Sequence, residues 1–395
     1  MLTLPLLWQT PIRPGDRWVY SAGFNVGKSL GETSRIDSEL DDIAYASGRG
    51  AAVALLSHQG SYRDGSAVPL PHIAAYLTRR LGTEVKYFPD TASEEAHQHS
   101  RAMRPGDITL FGNTRLYEGE EENDPDLARR FAALGDRVAV GGFSKAHRAH
   151  ASNTGILAHL PGVLAGSLVS EAETLDPWSG RKETTYSVAV LGGVKPEKTL
   201  IGLEHLTGIY DVVIPAGAVL NNILAALGHS IGVSCLGAKP DVTMAAAARI
   251  MARANRAEIP VPEQVVVARP GPEGHADHRA VVVRDGIPDG HAIVDIVLPD
   301  RVLGLLEHLV RSKGRALLAG TPSLYSAGHT QAADPLLAAF ETPGVNAMLL
   351  GGDTVGELPF QGRTSTGGGS ALHYLATGTF PVLKALAQQQ ARTNP

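Results

Sequence analysis

The chain is poor in cysteine, has no long apolar run and carries no surplus of positive charge, and each lack removes a class of protein. One cysteine in 395 residues, Cys235, leaves nothing for an internal disulfide and rules out thiolate zinc sites. No apolar run approaches the ~20 residues that a membrane-spanning helix needs. A net charge of −5 argues against a nucleic-acid binder held by phosphate contacts. The opening MLTLPLLWQTP is apolar but short, is interrupted by Pro5, and lacks both a basic segment and a small-residue cleavage site, so it does not read as a signal peptide. The expectation is a soluble, cytoplasmic protein without nucleic-acid or membrane partners.

What is present is an α/β pattern long enough for two domains, since single cores stop growing near ~250–300 residues. Ile36, Leu40, Ile43 and Ala44 recur at helical spacing over Ser34–Tyr45, with Arg35 near the helix start. Ala51–Leu56 reads as a buried strand that runs into Ser57-His58-Gln59-Gly60, at the end of a strand where open α/β sheets bind ligands. Helix Pro71–Leu81, strand Glu84–Phe88, helix Ser93–Met103 and strand Asp107–Phe111 continue the alternation up to Asn113-Thr114-Arg115. The acidic run Glu120–Asp124 reads as a solvated loop. A helix over 126–134 and a strand over 137–140 precede Ala146–Ser152, AHRAHAS. His147 and His150 there lie three apart, so a metal pair is conceivable, but Arg148 between them repels a cation and no third ligand is near. Structural histidines and a histidine/arginine anion pocket both remain open. Pro177–Gly180 reads as a linker, and a second α/β set follows: strand Val212–Ile214, helices Leu220–Leu227 and Ala245–Asn255, strand Gln264–Ala268, helix Arg301–Lys313, and a strand and turn at Leu317–Thr321.

Three glycine turns stand out in the second set. Ser187–Thr199, SVAVLGGVKPEKT, is an apolar strand followed by Gly192 and Gly193, then Lys195 and Lys198 at a helix start. Unhindered amides, a helix N-terminus and lysines make an anion cradle suited to phosphate; the plain alternative is an ordinary βα turn with solvated lysines. Leu350–Thr354 and Ser365–Ser370 repeat the glycine turn before helical segments. Ala22–Ser29, AGFNVGKS, fits a relaxed P-loop, but Gly31 breaks the helix that Lys28 should open, and no apolar strand ending in aspartate follows at a suitable distance.

Taken in order, SHxG at Ser57–Gly60, NxRxxxGEExND at Asn113–Asp124, HRAHAS at His147–Ser152, LGGxK at Leu191–Lys195, IPDG at Ile287–Gly290, GGDT at Gly351–Thr354 and STGGGS at Ser365–Ser370 span nearly the whole chain. In this order they resemble the phosphoglycerate kinase family. The resemblance implies two doubly wound parallel-sheet domains joined by a hinge with a ligand cleft between them, in a monomeric enzyme. It implies an acid-binding domain over 1–180, on which 377–395 packs back, and a nucleotide-binding domain over 181–376. The implied substrates are Mg-ATP or ADP and a small phosphorylated hydroxy acid. Carried over by position, Asn25 contacts the acid, Arg35 is the catalytic arginine, and His58, Arg115, His147 and Arg148 surround the acid's phosphate. Gly192, Gly193, Lys195, Gly217, Gly351, Gly352, Thr354, Thr366, Gly367 and Gly368 line the nucleotide, and Asp353 faces magnesium.

The departures from the family pattern cluster in the acid pocket. Gly23 stands where the family has an aspartate on the acid's C2 hydroxyl, and Ser61 where it has a phosphate-binding arginine, with Arg63 a possible substitute two residues on. Val140-Gly141-Gly142-Phe143-Ser144 replaces NDAFG. On the nucleotide side Ala319 and Ser326 replace an asparagine and a ribose-contacting glutamate, and Pro215-Ala216-Gly217 replaces a glycine triplet. The second lysine of the LGGxK turn falls at Thr199, so Lys198, one residue short, is expected to take its catalytic place. The expectation is a carboxylate kinase whose acid has shifted to a phosphate or phosphonate analogue of 3-phosphoglycerate. A non-catalytic ligand-binding relative and a P-loop NTPase are the alternatives.

Overall fold

The strands form because uninterrupted apolar runs are buried on both faces, as parallel sheets require. The computed structural model describes the chain except residues 1–3, 32, 182–184, 366 and 394–395, and the side chain of Thr393. The chain divides into two compact units, Met1–Thr174 with Thr379–Pro395, and Leu175–Gly378.

In the first unit six parallel strands, β1 (Arg17–Ser21), β2 (Ala52–Leu56), β3 (Val85–Phe88), β4 (Ile108–Phe111), β5 (Arg137–Val140) and β6 (Gly162–Leu164), lie in the order β3-β4-β2-β1-β5-β6. Every residue of β2 and β4 is buried. From β1 the chain builds first toward β2 and later toward β5, so the order reverses at β1. The crevice beyond the carboxyl ends of β1 and β5 is therefore the topological switch point, the ligand-binding position of open α/β sheets.

The second unit holds β7 (Ser187–Leu191), β8 (Val212–Pro215), β9 (Gln264–Gly271), β10 (Gly274–Val282), β11 (Ala292–Ile296), β12 (Arg315–Ala319), β13 (Asn346–Leu350) and β14 (Arg363–Ser365). Five of them form a parallel sheet in the order β14-β13-β12-β7-β8, and β10-β9-β11 make a separate antiparallel sheet. The α/β class expected from the sequence is the observed one.

Several local expectations are corrected. The single helix over Ser34–Tyr45 is two, Ser34–Asp37 and Leu40–Gly48, broken at Ser38 and Glu39, where the Glu39 amide donates three residues back to Ile36 O and its carboxylate turns inward. The helix expected at Ala245–Asn255 begins earlier, at Pro240, with proline in its first turn, and ends at Ala252. Strand Gln264–Ala268 is one edge of a hairpin whose second strand, β10, is mostly exposed and so shows no apolar alternation. The acidic run is only partly solvated: Glu122 is exposed, but Glu120 is buried and accepts from the Ser152 amide and hydroxyl. No helix opens at Lys28 or Ser29; they lie in a turn, and the next helix begins at Ser34, which is not P-loop geometry. Trp178 is buried within the second unit, its indole N–H donating to Ala316 O and Asn346 O.

The last helix, Pro381–Thr393, belongs to the first unit. Val382 and Leu386 are fully buried, and the Gln389 side chain donates to Leu157 O and Leu160 O while accepting from the Gly162 N–H at 2.8 Å. Gln389→Ala leaves those backbone groups without their partner and should destabilise the first unit by about 2 kcal/mol. A lower urea midpoint for that unit checks this; an unchanged midpoint would mean that apolar packing alone holds the helix.

Candidate active site

Loops at the carboxyl ends of β1, β2, β4 and β5 build a cationic cluster in the first unit. Asn113 fixes the arrangement: its Oδ1 accepts from the Gln59 and Arg115 amides, and its Nδ2 donates to Gln59 O at 2.9 Å and Val68 O at 2.8 Å. Asn25 is exposed, with Oδ1 accepting from the Gly60 N–H, and Arg35 donates to the Asn25 carbonyl at 3.4 Å. His58 and His150 are each only 5% exposed, and in each the Nδ1 is buried with no hydrogen-bond partner among the described residues. Arg148 is exposed and its Nε lies 3.3 Å from His147 Nε2.

Two of the expected cations are held by carboxylates. Arg115 is buried and donates to Gly60 O at 3.0 Å and Glu121 Oε1 at 2.9 Å, and the other oxygen of Glu121 accepts from Ser61 at 2.7 Å. Arg63 pairs with Glu122 at 3.1 Å in the open, where an ion pair contributes under about 1 kcal/mol. Ser61 thus anchors Glu121.

Burial, then the charges of Lys145 and Arg115, holds the His58 imidazole well below the usual histidine range. Burial and the same two cations, Arg115 first, push His150 down to about 3. Both rings are neutral acceptor-donors set in a positive field, an environment that suits an anion. Lys145 is itself buried and donates to Ser21 Oγ at 2.8 Å; burial lowers its pKa, while burial raises that of the neighbouring Glu39.

In the second unit the glycine turns meet backbone to backbone at the carboxyl ends of β7, β8, β12 and β13. A Cβ on Gly192 would sit 2.2 Å from Thr321 O, and one on Gly217 would sit 2.7 Å from Gly193 N, so neither position admits a side chain. Lys195 reaches Asp353 with Nζ–Oδ2 of 2.7 Å, both largely exposed. Lys198 opens the π-helix Lys198–Leu203 and is buried, its Nζ 4.0 Å from the place of a Cβ on Gly368, where the helix Gly368–Thr377 starts. Burial, then the Lys195 charge, lowers Lys198 to about 8. A Cβ on Gly368 would also lie 3.3 Å from Gly351 Cα, so the two turns touch. Thr199 is buried, and Thr354 Oγ1 accepts from the Gly320 N–H at 3.1 Å. Gly352 starts the short helix Gly352–Glu357, Gly367 donates to Ser365 Oγ, and Thr366 lies outside the described residues.

Among the described residues no cluster of three or more His, Cys, Asp or Glu side chains could hold a metal. A single exposed carboxylate at Asp353 still fits magnesium, which takes one or two carboxylates and completes its shell with water and phosphate oxygens. The sequence reading missed four charged residues here: Glu39, Lys145, Glu121 and Glu357, whose carboxylate accepts from the Ser326 amide and hydroxyl. Glu39 had a signal. It stands three residues after Ile36, on the apolar face of the expected helix, where a charge is out of place.

Two parallel-sheet units, one with a cationic pocket and one with glycine turns, lysines and a lone aspartate, are the fold and equipment of an α/β kinase, a phosphoryl transferase. The chain belongs to the phosphoglycerate kinase family, whose model matches residues 21–378. It is 29% identical to the phosphoglycerate kinase of Thermosipho africanus over 96% of this chain and 97% of that one. It is 32% identical to the enzyme of that name from Desulforudis audaxviator, over 93% and 94%. The solved phosphoglycerate kinase of Coxiella burnetii superposes with a TM-score of 0.72 at 26% identity, covering 96% of this chain and 98% of that one. The Pyrococcus horikoshii structure, at 20% identity and a TM-score of 0.77 over 97% and 100%, shares the fold.

The depressed histidine pKa has a consequence for stability. Folded His150 binds no proton between its ordinary pKa near ~6.5 and about 3, while the unfolded chain does, so its contribution is whole above ~6.5 and is lost as pH falls. Between pH 7 and pH 5 this costs the wild type about 2 kcal/mol, at ~1.4 kcal/mol per unit. His150→Gln should flatten the fall of folding stability over that range; parallel curves for the two proteins would contradict the assignment.

Proposed function

We propose that this chain is a Mg-ATP-dependent carboxylate kinase. It transfers the γ-phosphoryl group to the carboxylate of a small hydroxy acid bearing a phosphate or phosphonate, giving an acyl phosphate and ADP. Family membership supports the reaction type. The observation that carries it is the convergence of Lys195 and Lys198 from the end of β7 with Asp353 from the end of β13, beside glycine turns where Gly192 and Gly217 admit no side chain.

In this reading the second unit binds nucleotide. Gly192, Gly193, Thr199, Gly217, Gly351, Gly352, Thr354, Thr366, Gly367 and Gly368 lie along the phosphates and ribose, with Lys195 and Lys198 on the transferring phosphoryl. Bound at Asp353, magnesium would neutralise charge on the β- and γ-phosphate oxygens. The first unit binds the acid through Asn25, Arg35, His58, Arg115, His147 and Arg148, with Arg63 free to leave its surface pair with Glu122. A carboxylate is ionised at neutral pH, so the attacking oxygen needs no general base. Catalysis then rests on in-line positioning and on positive charge from Arg35, Lys195 and Lys198 as charge spreads over the phosphoryl oxygens.

The acid pocket supports a substrate other than 3-phosphoglycerate. A Cβ on Gly23 would lie 2.7 Å from Gly142 Cα, so this backbone has no room for an aspartate, and Glu121 offsets the charge of Arg115. Losing a carboxylate and an arginine from one pocket weakens binding of the family's usual acid by several kcal/mol, on the order of 1.5–3 for each charged hydrogen bond.

ADP release from Mg-ATP, measured with 3-phosphoglycerate and with phosphonate hydroxy acids, tests the reading. Acid-dependent turnover should be faster with a phosphonate acid, and Lys198→Ala or Arg35→Ala should lower kcat by roughly 10²–10³. Turnover of 3-phosphoglycerate at ordinary kinase rates would overturn the altered substrate. Magnesium-dependent ATP binding without turnover of any acid would favour a non-catalytic relative.

A further inference from the structure

A carboxylate withdrawn from water is costly unless something in the fold needs it, and Glu39 is 3% exposed. Its Oε1 accepts from the Gly23 N–H at 2.8 Å and its Oε2 from the Gly142 N–H at 3.0 Å. Those amides open the loops that leave the neighbouring strands β1 and β5, which pair in parallel with Ser21 opposite Val140. One side chain therefore bridges both walls of the switch-point crevice.

The surrounding residues suit this brace and little else. Gly23 and Gly142 approach so closely that a Cβ on either would fall within 2.8 Å of the other's backbone. A Cβ on Gly141 would lie 2.3 Å from Glu39 Oε2, so the carboxylate occupies the room a side chain there would need. The positive charge that accompanies the buried carboxylate is Lys145, held on Ser21 Oγ, which in turn donates to Ser152 O. Glu39 also follows Arg35 by four residues in the chain, and its own amide donates to Ile36 O at 3.1 Å, so the brace is tied to the segment that carries Arg35.

We propose that Glu39 is a positioning residue for the acid site: by clamping the Gly23 and Gly142 amides it sets the loop bearing Asn25, and the segment bearing Arg35, against the loop after β5. The proposal rests on the reading that Asn25 and Arg35 hold the acid. Because both amides are committed to Glu39, neither is left to donate to a ligand. The acid is held by side chains arriving from outside the glycine contact, and those are useful only while the contact keeps its geometry.

Glu39→Gln keeps the size of the side chain but turns one of the two acceptors into a donor facing an N–H. Glu39→Asp keeps the charge on a shorter arm. In the full chain, hydrogen exchange of segments 22–26 and 140–146 should quicken at least tenfold in the glutamine variant and less in the aspartate variant. With 3-phosphoglycerate and the phosphonate acids as acceptors, KM for the acid should rise at least tenfold in Glu39→Gln while KM for ATP stays within twofold, with partial recovery in Glu39→Asp. Unchanged exchange in both segments overturns the brace. Loosened loops with an unchanged acid KM, or with acid and ATP KM rising together, overturn its positioning role. A wild-type protein that turns over no acid overturns the kinase reading instead, and the exchange arm then decides the brace by itself.

Discussion

At the carboxyl ends of both parallel sheets, backbone is pressed against backbone, and the rest of the molecule's chemistry is arranged around that contact. Parallel strands deliver all their outgoing loops to one edge, and neighbouring loops there are only a strand spacing apart. Gly23 against Gly142 in the first unit, and Gly192 against Thr321 and Gly217 against Gly193 in the second, leave no space for a Cβ on Gly23, Gly142, Gly192 or Gly217. Side chains of the candidate site must therefore enter from other positions along each loop. Asn25, His58, Lys195, Lys198 and Asp353 all lie two to seven residues beyond the ends of β1, β2, β7 and β13.

The same packing explains the electrostatics. Close loops exclude water, and charges caught beneath them need partners inside the protein. In the first unit Glu120 is satisfied by Ser152, Glu121 by Arg115 and Ser61, and Glu39 by two glycine amides. Burial first, and then the remaining positive field, keeps His58 and His150 neutral. Part of the charge of the cationic cluster is thus offset within the fold, as Glu121 offsets that of Arg115. In the second unit the pair Lys195–Asp353 sits in the open, where an ion pair contributes under about 1 kcal/mol.

The α/β class and most strand ends were legible because buried parallel strands are written as unbroken apolar runs, as in Ala52–Leu56 and Ser187–Leu191. The glycine turns and lysines were legible as local patterns, and the order of the motifs pointed to the family. Strand β10 was not legible: as an exposed edge it is held by its register on β9 rather than by burial, so GHADHRAVV carries no period. The inward turn of Glu120 depends on Ser152, 32 residues away. Glu39 is the plainest case. Its partners are the amides of residues 16 and 103 positions distant, and an amide leaves no trace in a sequence beyond the glycine that frees it.

The central claim is that phosphoryl transfer ends on a carboxylate. Trapping with hydroxylamine tests it most directly, since an acyl phosphate reacts to give a hydroxamate and inorganic phosphate. The account predicts hydroxamate that requires magnesium, ATP and the acid together, in amounts matching the ADP released. ADP release with no hydroxamate would place the phosphoryl group elsewhere, on water or on a hydroxyl, and would contradict the account.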